Sequence, residues 1–328
     1  MDDGFCKELC DRLGESMWGT APTASTWILL ETSGAWARNP MDSAELSPAV
    51  VSRLKLWLQN IEGSRLQLVR SSKSRAQAAG SSKGGRSFGM FVAFVDISSP
   101  RLVRLDGLTE AELLSLDLPA LRYRLPPKGQ LVESPIYLVC THGKRDRCCA
   151  KWGLPVLRAF KNVASERALP TTHLGGHRFS ANVVCLPEGV AYGRVEPEDV
   201  SGLFEAHESG RYHVLEKVKG QVGREALVQV ADVALRNHRG WMQLSDVSFL
   251  GVMSPEVDAH DGAVHAVQLQ GVDGPYRIQI RRVFQGFRIK SCGDVPSKSF
   301  MYAVERIEPA EIHRASPDAN NPTGAEIE

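Results

Sequence analysis

Cysteine, histidine and basic residues are concentrated in the fifteen residues VCTHGKRDRCCAKWG, which run from Val139 to Gly153. A second segment, HLGGHRF, adds His173 and His177 with three residues between them. Thiolates and imidazoles are the usual ligands of zinc and of some iron–sulfur clusters. We therefore expect a metal or cluster site whose donors come from four groups. These groups are Cys140, the Cys148–Cys149 pair, His173 and His177.

The types and spacing of the donors are compatible with two kinds of metal centre. Two thiolates and two imidazoles suit tetrahedral zinc, and they also suit a 2Fe–2S cluster in which two histidines replace two cysteines. Eight residues separate Cys140 from Cys149, whereas paired zinc cysteines usually have two to four residues between them. The longer span favours a two-iron core. A Rieske domain is not expected, because the Cys-x-x-His half of its motif is absent.

The bulk composition describes a folded protein with no sign of a nucleic-acid or membrane function. The chain has 328 residues, of which 43% are hydrophobic and 23% charged, and its formal net charge is +1. No apolar run approaches the roughly 20 residues of a membrane helix, and the first residues lack the apolar core of a signal peptide. We expect a cytoplasmic protein, in which clustered cysteines indicate metal or redox chemistry more often than disulfides.

Short apolar runs that end in turn residues predict buried strands, and two sets of them look alike. STWILLETSG (Ser25 to Gly34) resembles SPIYLVCTHG (Ser134 to Gly143), and GGRSFGMFVAFV resembles GGHRFSANVVCL. This similarity predicts two related α/β units. In the first unit Glu31 takes the place of Cys140 and Arg86 that of His177, so this unit is expected to lack ligands.

The segments after the histidines predict two hairpins and two helices. Gly189 and Asp273–Gly274 provide the turns, and the second helix is expected to end at Gly240. The predicted organisation is an N-terminal unit at 1–125, a ligand-bearing unit at 126–242, a β-rich extension at 243–314 and a flexible tail at 315–328. A Ser/Gly/Lys-rich loop is expected at 71–86 and a helix at 1–20.

CTHGKRDRCCAKWG, followed by HLGGHRFSANVVCLPEGVAYGRV, resembles the sucrase/ferredoxin-like family, whose signature domain is a thioredoxin-like ferredoxin. The resemblance is close through residues 135–195. It implies an α/β fold of the thioredoxin-like ferredoxin type. In ferredoxins of this type with four cysteine ligands, the last two are spaced as Cys-x-x-x-Cys, and His173 and His177 have that spacing. The resemblance therefore implies a 2Fe–2S cluster held by Cys140, Cys149, His173 and His177, with Cys148 as the alternative to Cys149.

The function implied is one-electron transfer to or from a redox partner protein, rather than catalysis on a substrate of its own. Two alternatives are a zinc-stabilised binding protein and a thiol oxidoreductase on the same fold. The basic residues Lys144, Arg145 and Arg147 are candidates for docking an acidic partner. His142 is a candidate hydrogen-bond donor to the cluster, whereas structural roles are expected for a further set of cysteines: Cys6, Cys10, Cys185 and Cys292.

Overall fold

The computed structural model describes residues 4–72, 87–95, 99–253 and 263–311. Residues 73–86 of the expected loop, which include Arg86, and the tail at 315–328 lie outside these ranges. The helices within them are α1 (Cys6–Arg12), α2 (Pro48–Asn60), α3 (Glu110–Ser115), α4 (Arg147–Ala164), α5 (Val200–Glu208) and α6 (Ala226–Arg239). None of the described helices is both long and apolar enough to cross a bilayer.

The first five strands are β1 (Thr26–Glu31), β2 (Ser64–Val69), β3 (Phe88–Phe94), β4 (Arg101–Leu108) and β5 (Gly129–Leu131). The next five are β6 (Ile136–Cys140), β7 (Ala168–Thr171), β8 (Val183–Leu186), β9 (Val190–Tyr192) and β10 (Val218–Gln221). All ten form one sheet in the order β10-β9-β8-β6-β7-β2-β1-β3-β4-β5. A separate antiparallel sheet contains β11 (Val247–Met253), β12 (Val264–Gly271), β13 (Gly274–Arg288) and β14 (Ser297–Pro309).

The ten-stranded sheet consists of two units with the same strand order. In the first unit β1 is parallel to β2 and antiparallel to β3, which pairs with β4. In the second unit β6 is parallel to β7 and antiparallel to β8, which pairs with β9. Helices α2 and α4 provide the crossovers that the two parallel pairs require. The expected α/β class, with two related units and a β-rich C-terminal extension, is confirmed.

The two units meet edge to edge where β2 lies beside β7. Val69 pairs with Thr171, and the backbone N–H of Thr172 donates to the carbonyl of Leu68 at 3.0 Å. The Leu68 N–H in turn donates to the Thr172 hydroxyl at 3.0 Å. A side-chain oxygen therefore continues the ladder where the strand pairing ends.

The strands at the centre of each unit read as unbroken apolar runs because both faces of the sheet are covered. On one face Ile28 and Leu30 of β1 pack against α2. On the other face Trp27 and Leu29 belong to a core that also contains Leu138 of β6. The outer edges of the sheet are short, since β5 has three residues and β10 has four.

Three segments differ in extent or position from the expectation. The first helix ends at Arg12, and the backbone turns at Gly14, which has a φ of 58°. Beyond this turn Gly19 and Thr20 donate to the Lys219 carbonyl of β10 at 2.8 and 3.3 Å. This N-terminal segment therefore packs on the second unit, on the far side of the boundary expected at residue 125. Conversely, β5 follows that boundary and pairs with β4 of the first unit.

Candidate metal centre

Cys140 is the last residue of β6, the strand at the centre of the second unit, and its side chain is buried. Helix α4 crosses directly over this strand end. A Cβ atom at Gly153 of α4 would lie 2.0 Å from the Cys140 carbonyl oxygen, so glycine is required for this approach. The backbone N–H groups of Cys140 and Thr141 donate to Asn182 and Thr171 at 3.1 and 3.2 Å, which fixes the strand end.

Cys148 and Cys149 lie in the first turn of α4, and Asp146 caps the helix by accepting a hydrogen bond from the Cys148 N–H at 2.9 Å. Successive residues of a helix point about 100° apart. Cys149 accordingly faces Cys140 and His173, whereas the Cys148 sulfur contacts Cys6 and Cys292.

His173 and His177 lie on the loop after β7, in the turn that contains Gly175 and Gly176. These glycines have φ values of 103° and 63°, a region that residues with a Cβ rarely adopt. The buried Lys219 ammonium donates to the Gly175 carbonyl at 3.3 Å. Asn182 donates to the Gly176 carbonyl at 3.0 Å. The turn is therefore held by one side chain from β10 and one from the residue before β8.

The structure brings the four expected donors together in a row. Cys140, Cys149 and His173 have donor atoms that all lie within 4.8 Å of one another. Cys149 Sγ is 3.6 Å from His173 Nδ1, and His173 Nε2 is 3.3 Å from His177 Nδ1. His177 thus extends the set through His173.

The second ring nitrogen of His177 faces a carboxylate. His177 Nε2 is buried without a hydrogen-bond partner and lies 3.6 Å from Asp146 Oδ2. A histidine that binds a metal through one nitrogen carries its proton on the other, and a nearby carboxylate commonly orients that N–H. The unpartnered Nε2 beside Asp146 therefore fits a His177 that uses Nδ1 as a ligand.

Burial and mutual contact shift the pKa values of Cys140 and Cys149 in opposite directions. A hydrogen bond from Cys149 and the neighbouring His173 hold the pKa of Cys140 well below its usual value, against the effect of burial. The same contact with Cys140, together with burial, raises the pKa of Cys149. Burial lowers the pKa of His177, which favours the neutral imidazole that binds metals. The donors fit a zinc ion or a 2Fe–2S cluster.

Other candidates from the sequence have different positions. The His142 ring nitrogen Nε2 is 2.9 Å from the Ala37 carbonyl, while the backbone N–H of His142 is hydrogen-bonded to Cys140. Lys144, Arg145 and Arg147 are exposed. Cys185 is fully buried in β8, as expected for a structural residue.

Sequence reasoning missed four residues around the site: Cys6, Asp146, Lys219 and Cys292. An aspartate just before a run of helical residues is a recognised N-cap signal, so Asp146 was accessible from the sequence. The others come from distant segments and have no local signal. The sulfurs of Cys6 and Cys292 both lie in contact with the Cys148 sulfur, and no short-range pattern in the sequence indicates this.

Comparison with known proteins gives a family, partial relatives and a structural neighbour. "Altered inheritance of mitochondria protein 32" of Meyerozyma guilliermondii is 34% identical over 103 residues, which are 28% of this chain and 36% of that protein. Its Saccharomyces cerevisiae counterpart is 27% identical over 143 residues, 37% of this chain and 45% of that protein. The matched part is thus less than half of either relative.

A thioredoxin-like [2Fe-2S] ferredoxin from Aquifex aeolicus is 27% identical, covers 26% of this chain and 91% of its own, and has a TM-score of 0.23. The sucrase/ferredoxin-like family matches residues 17–221, which include both units of the large sheet and all four expected donors. This protein therefore belongs to the sucrase/ferredoxin-like family.

Proposed function

We propose that this protein is an electron carrier with a 2Fe–2S cluster bound by Cys140, Cys149, His173 and His177. The observation that carries the proposal is the continuous row of donors, in which Cys149 meets His173 at 3.6 Å and His173 meets His177 at 3.3 Å. Cys149 is the second cysteine ligand in this proposal, because the Cys148 sulfur is in contact with Cys6 and Cys292 instead.

The choice of two imidazoles sets the charge of the site. Four thiolates around an oxidised core of charge +2 give about −2, whereas two thiolates and two neutral imidazoles give about 0. When bound, the cluster supplies a one-electron couple. Because the less negative site accepts an electron more readily, its potential should lie above the roughly −400 mV of plant-type ferredoxins.

The histidines also give the chain a place to hold a proton. His177 would keep its proton on Nε2, which lies 3.6 Å from the Asp146 carboxylate. An added electron makes the site more negative and raises the affinity of this nitrogen for its proton. Electron transfer is therefore coupled to proton uptake at His177 over the pH range between the oxidised-state and reduced-state pKa values of that nitrogen.

A basic cleft of about 230 Å³ beside His177 is the proposed docking place for an acidic redox partner. Arg38, Arg145, Arg178 and Lys290 all line this cleft. Arg178 is paired with Glu15, whereas Arg145 and its chain neighbour Lys144 are exposed. Opposite charge on a partner would accelerate encounter and orient it with His177 between the two proteins.

The first test is the iron and sulfide content of anaerobically purified single variants. Cys140→Ser, Cys149→Ser, His173→Ala and His177→Ala should each lose most of the visible absorption and iron. Cys185→Ala is the matched control, because it removes a buried thiol of the same unit that touches no donor. Full iron in Cys149→Ser with none in Cys148→Ser would reassign the ligand to Cys148.

One other outcome would favour the first alternative function. A colourless anaerobic protein with zinc bound by the same four residues would make it a zinc-stabilised binding protein. A thiol oxidoreductase needs an accessible nucleophile, and Cys148 and Cys149 are 0% and 1% exposed. Their burial counts against this second alternative.

A further inference from the structure

A second group of thiols surrounds Cys148 of α4, next to the proposed cluster site. Cys148 Sγ is 3.4 Å from Cys6 Sγ and 3.4 Å from Cys292 Sγ, and the third side of this triangle is 3.7 Å. The three residues come from α1, the first turn of α4 and the connection between β13 and β14. The two groups of donors share no residue.

The Asp146 carboxylate completes this second group. One of its oxygens lies within 4.8 Å of all three sulfurs. The carboxylate accepts hydrogen bonds from the Cys148 and Cys292 backbone N–H groups and from the Ser291 hydroxyl, each at 2.9 Å. These bonds fix its orientation toward the sulfurs, and the Asp146 side chain is fully buried.

We propose that Cys6, Cys148 and Cys292 bind a zinc ion, with Asp146 as the fourth ligand. Tetrahedral zinc with Zn–S bonds of about 2.3 Å separates its sulfur ligands by about 3.8 Å. The observed separations of 3.4 to 3.7 Å are close to this value. Three thiolates and one carboxylate are a donor set that zinc accepts, and a closed set of four protein ligands is typical of a structural site.

A triangle of thiols is better explained by a metal than by a disulfide or by apolar packing. A disulfide joins two sulfurs at about 2.05 Å and leaves the third without a role. The connection that contains Cys292 also has little apolar burial, since Val295 is 81% exposed. Contacts with Asp146 and the two other cysteines therefore help to hold this connection against α4.

The site would join the ends of the described chain to the cluster-bearing unit. Cys6 and Cys148 are 142 residues apart, and Cys148 and Cys292 are 144 residues apart. A metal that crosslinks such distant segments removes much chain entropy from the unfolded state. Zinc has no redox chemistry, so this site can stabilise the fold without competing for electrons.

The test measures zinc, iron and sulfide in the same anaerobic preparations of the full chain. We expect one zinc per chain in addition to the iron. Cys6→Ser and Cys292→Ser should reduce zinc roughly tenfold or more and keep the iron and the visible spectrum. Cys10→Ser is the matched control for Cys6→Ser, because Cys10 lies one turn later in α1, is equally buried and contacts Glu15.

Zinc-edge X-ray absorption on the wild-type protein provides a readout that does not depend on the folding of any variant. Three sulfur ligands at about 2.3 Å and one oxygen at about 2.0–2.2 Å are expected. Two sulfurs and two nitrogens would place the zinc on the first group of donors and overturn the proposal. Iron-loaded wild-type protein without zinc after growth in zinc-supplemented medium, or a Cys6–Cys148 disulfide found by peptide mapping, would also overturn it.

Discussion

The ammonium group of Lys219 is buried beneath the turn that carries the histidines. It donates to the Gly175 carbonyl at 3.3 Å and to Asn182 Oδ1 at 3.0 Å, with no carboxylate among these partners. Burial, together with the positive charges of Arg178 and Arg65, lowers the pKa of Lys219 to about 7. A lysine in an unfolded chain has a pKa near 10.4.

This difference predicts how stability changes with pH. Between about pH 7 and pH 10 the unfolded chain binds the Lys219 proton and the folded chain does not, so stability should rise with pH by at most about 1.4 kcal/mol per unit. Below about pH 7 both states bind the proton and this contribution is flat. Lys219→Met should remove the slope. Urea unfolding of both proteins at pH 7, 8, 9 and 10 checks this, and equal slopes would contradict it.

Histidine ligation predicts a pH-dependent potential. In the window between the oxidised-state and reduced-state pKa values, one proton per electron lowers the midpoint potential by roughly 59 mV for each pH unit. His173→Cys and His177→Cys should lower the potential and weaken the slope, because a thiolate adds negative charge and carries no ring N–H. Redox titration from about pH 6 to 10 measures both effects. A wild-type potential independent of pH in the cluster-bound protein would contradict proton coupling at the histidines.

At the residue scale the sequence indicated the donors but not their directions. Residue type and spacing picked out Cys140, the cysteine pair and both histidines, and the structure brings these groups together. Which of Cys148 and Cys149 faces Cys140 depends on where α4 begins. Cys292 was assigned a structural role because nothing near it in the sequence shows that Cys6 and Cys148 lie beside it.

At the element scale, the close approach of α4 to β6 requires glycine at position 153, which has no Cβ atom. In Gly153→Ala the new Cβ would meet the Cys140 carbonyl at 2.0 Å, so the helix would have to move away from the strand end. Overpacking of this kind costs about 1–3 kcal/mol, which outweighs the roughly 1 kcal/mol gained in helix propensity. We expect reduced stability and reduced iron content.

Leu154→Ala is the control for this substitution, since Leu154 is the next residue of α4 and is 42% exposed. It should leave iron content near that of the wild type. Denaturant unfolding and iron assays on both variants distinguish a local clash from a general weakening of the helix. Wild-type stability and iron in Gly153→Ala would show that α4 does not need this close contact.

The strands and most helices could be predicted from local patterns, but α4 could not. Apolar runs predicted β1, β3 and β6, and the Thr-x-x-Glu pattern at the start of α3 is a local signal of the capping box that Thr109 and Glu112 form. Helix α4 contains Gly153 and Pro155, which disfavour a helix interior. The helix forms despite them because Val156 and Phe160 are buried against Tyr137 and Val139 of β6.

At the scale of the whole molecule, the continuous sheet predicts that both units unfold together. Thr172→Val removes the hydroxyl that accepts the Leu68 N–H at 3.0 Å and leaves a buried donor unpaired, at a cost of about 1–3 kcal/mol. Because this bond joins the units, the variant should unfold at lower denaturant in a single transition. Coincident curves from far-ultraviolet circular dichroism and visible absorption would support this.

Ser115→Ala, an exposed change on α3, should unfold as the wild type does. Two separate transitions in the wild type, with visible absorption lost in only one of them, would mean that the units are independent domains. The internal similarity of the sequence was enough to predict two related units, and the matching strand orders agree with it. The junction was not predictable, because β2 and β7 meet through few residues without a distinctive pattern.

The short outer strands of the large sheet limit its tendency to aggregate, with or without a bound metal. A sheet exposes unpaired backbone groups only at its edges, and long flat edges recruit other chains into aggregates. Here eight of the ten strands are interior, and the two edges offer three and four residues. Protection against edge-to-edge association is thus built into the backbone of the sheet and does not rely on a bound cofactor.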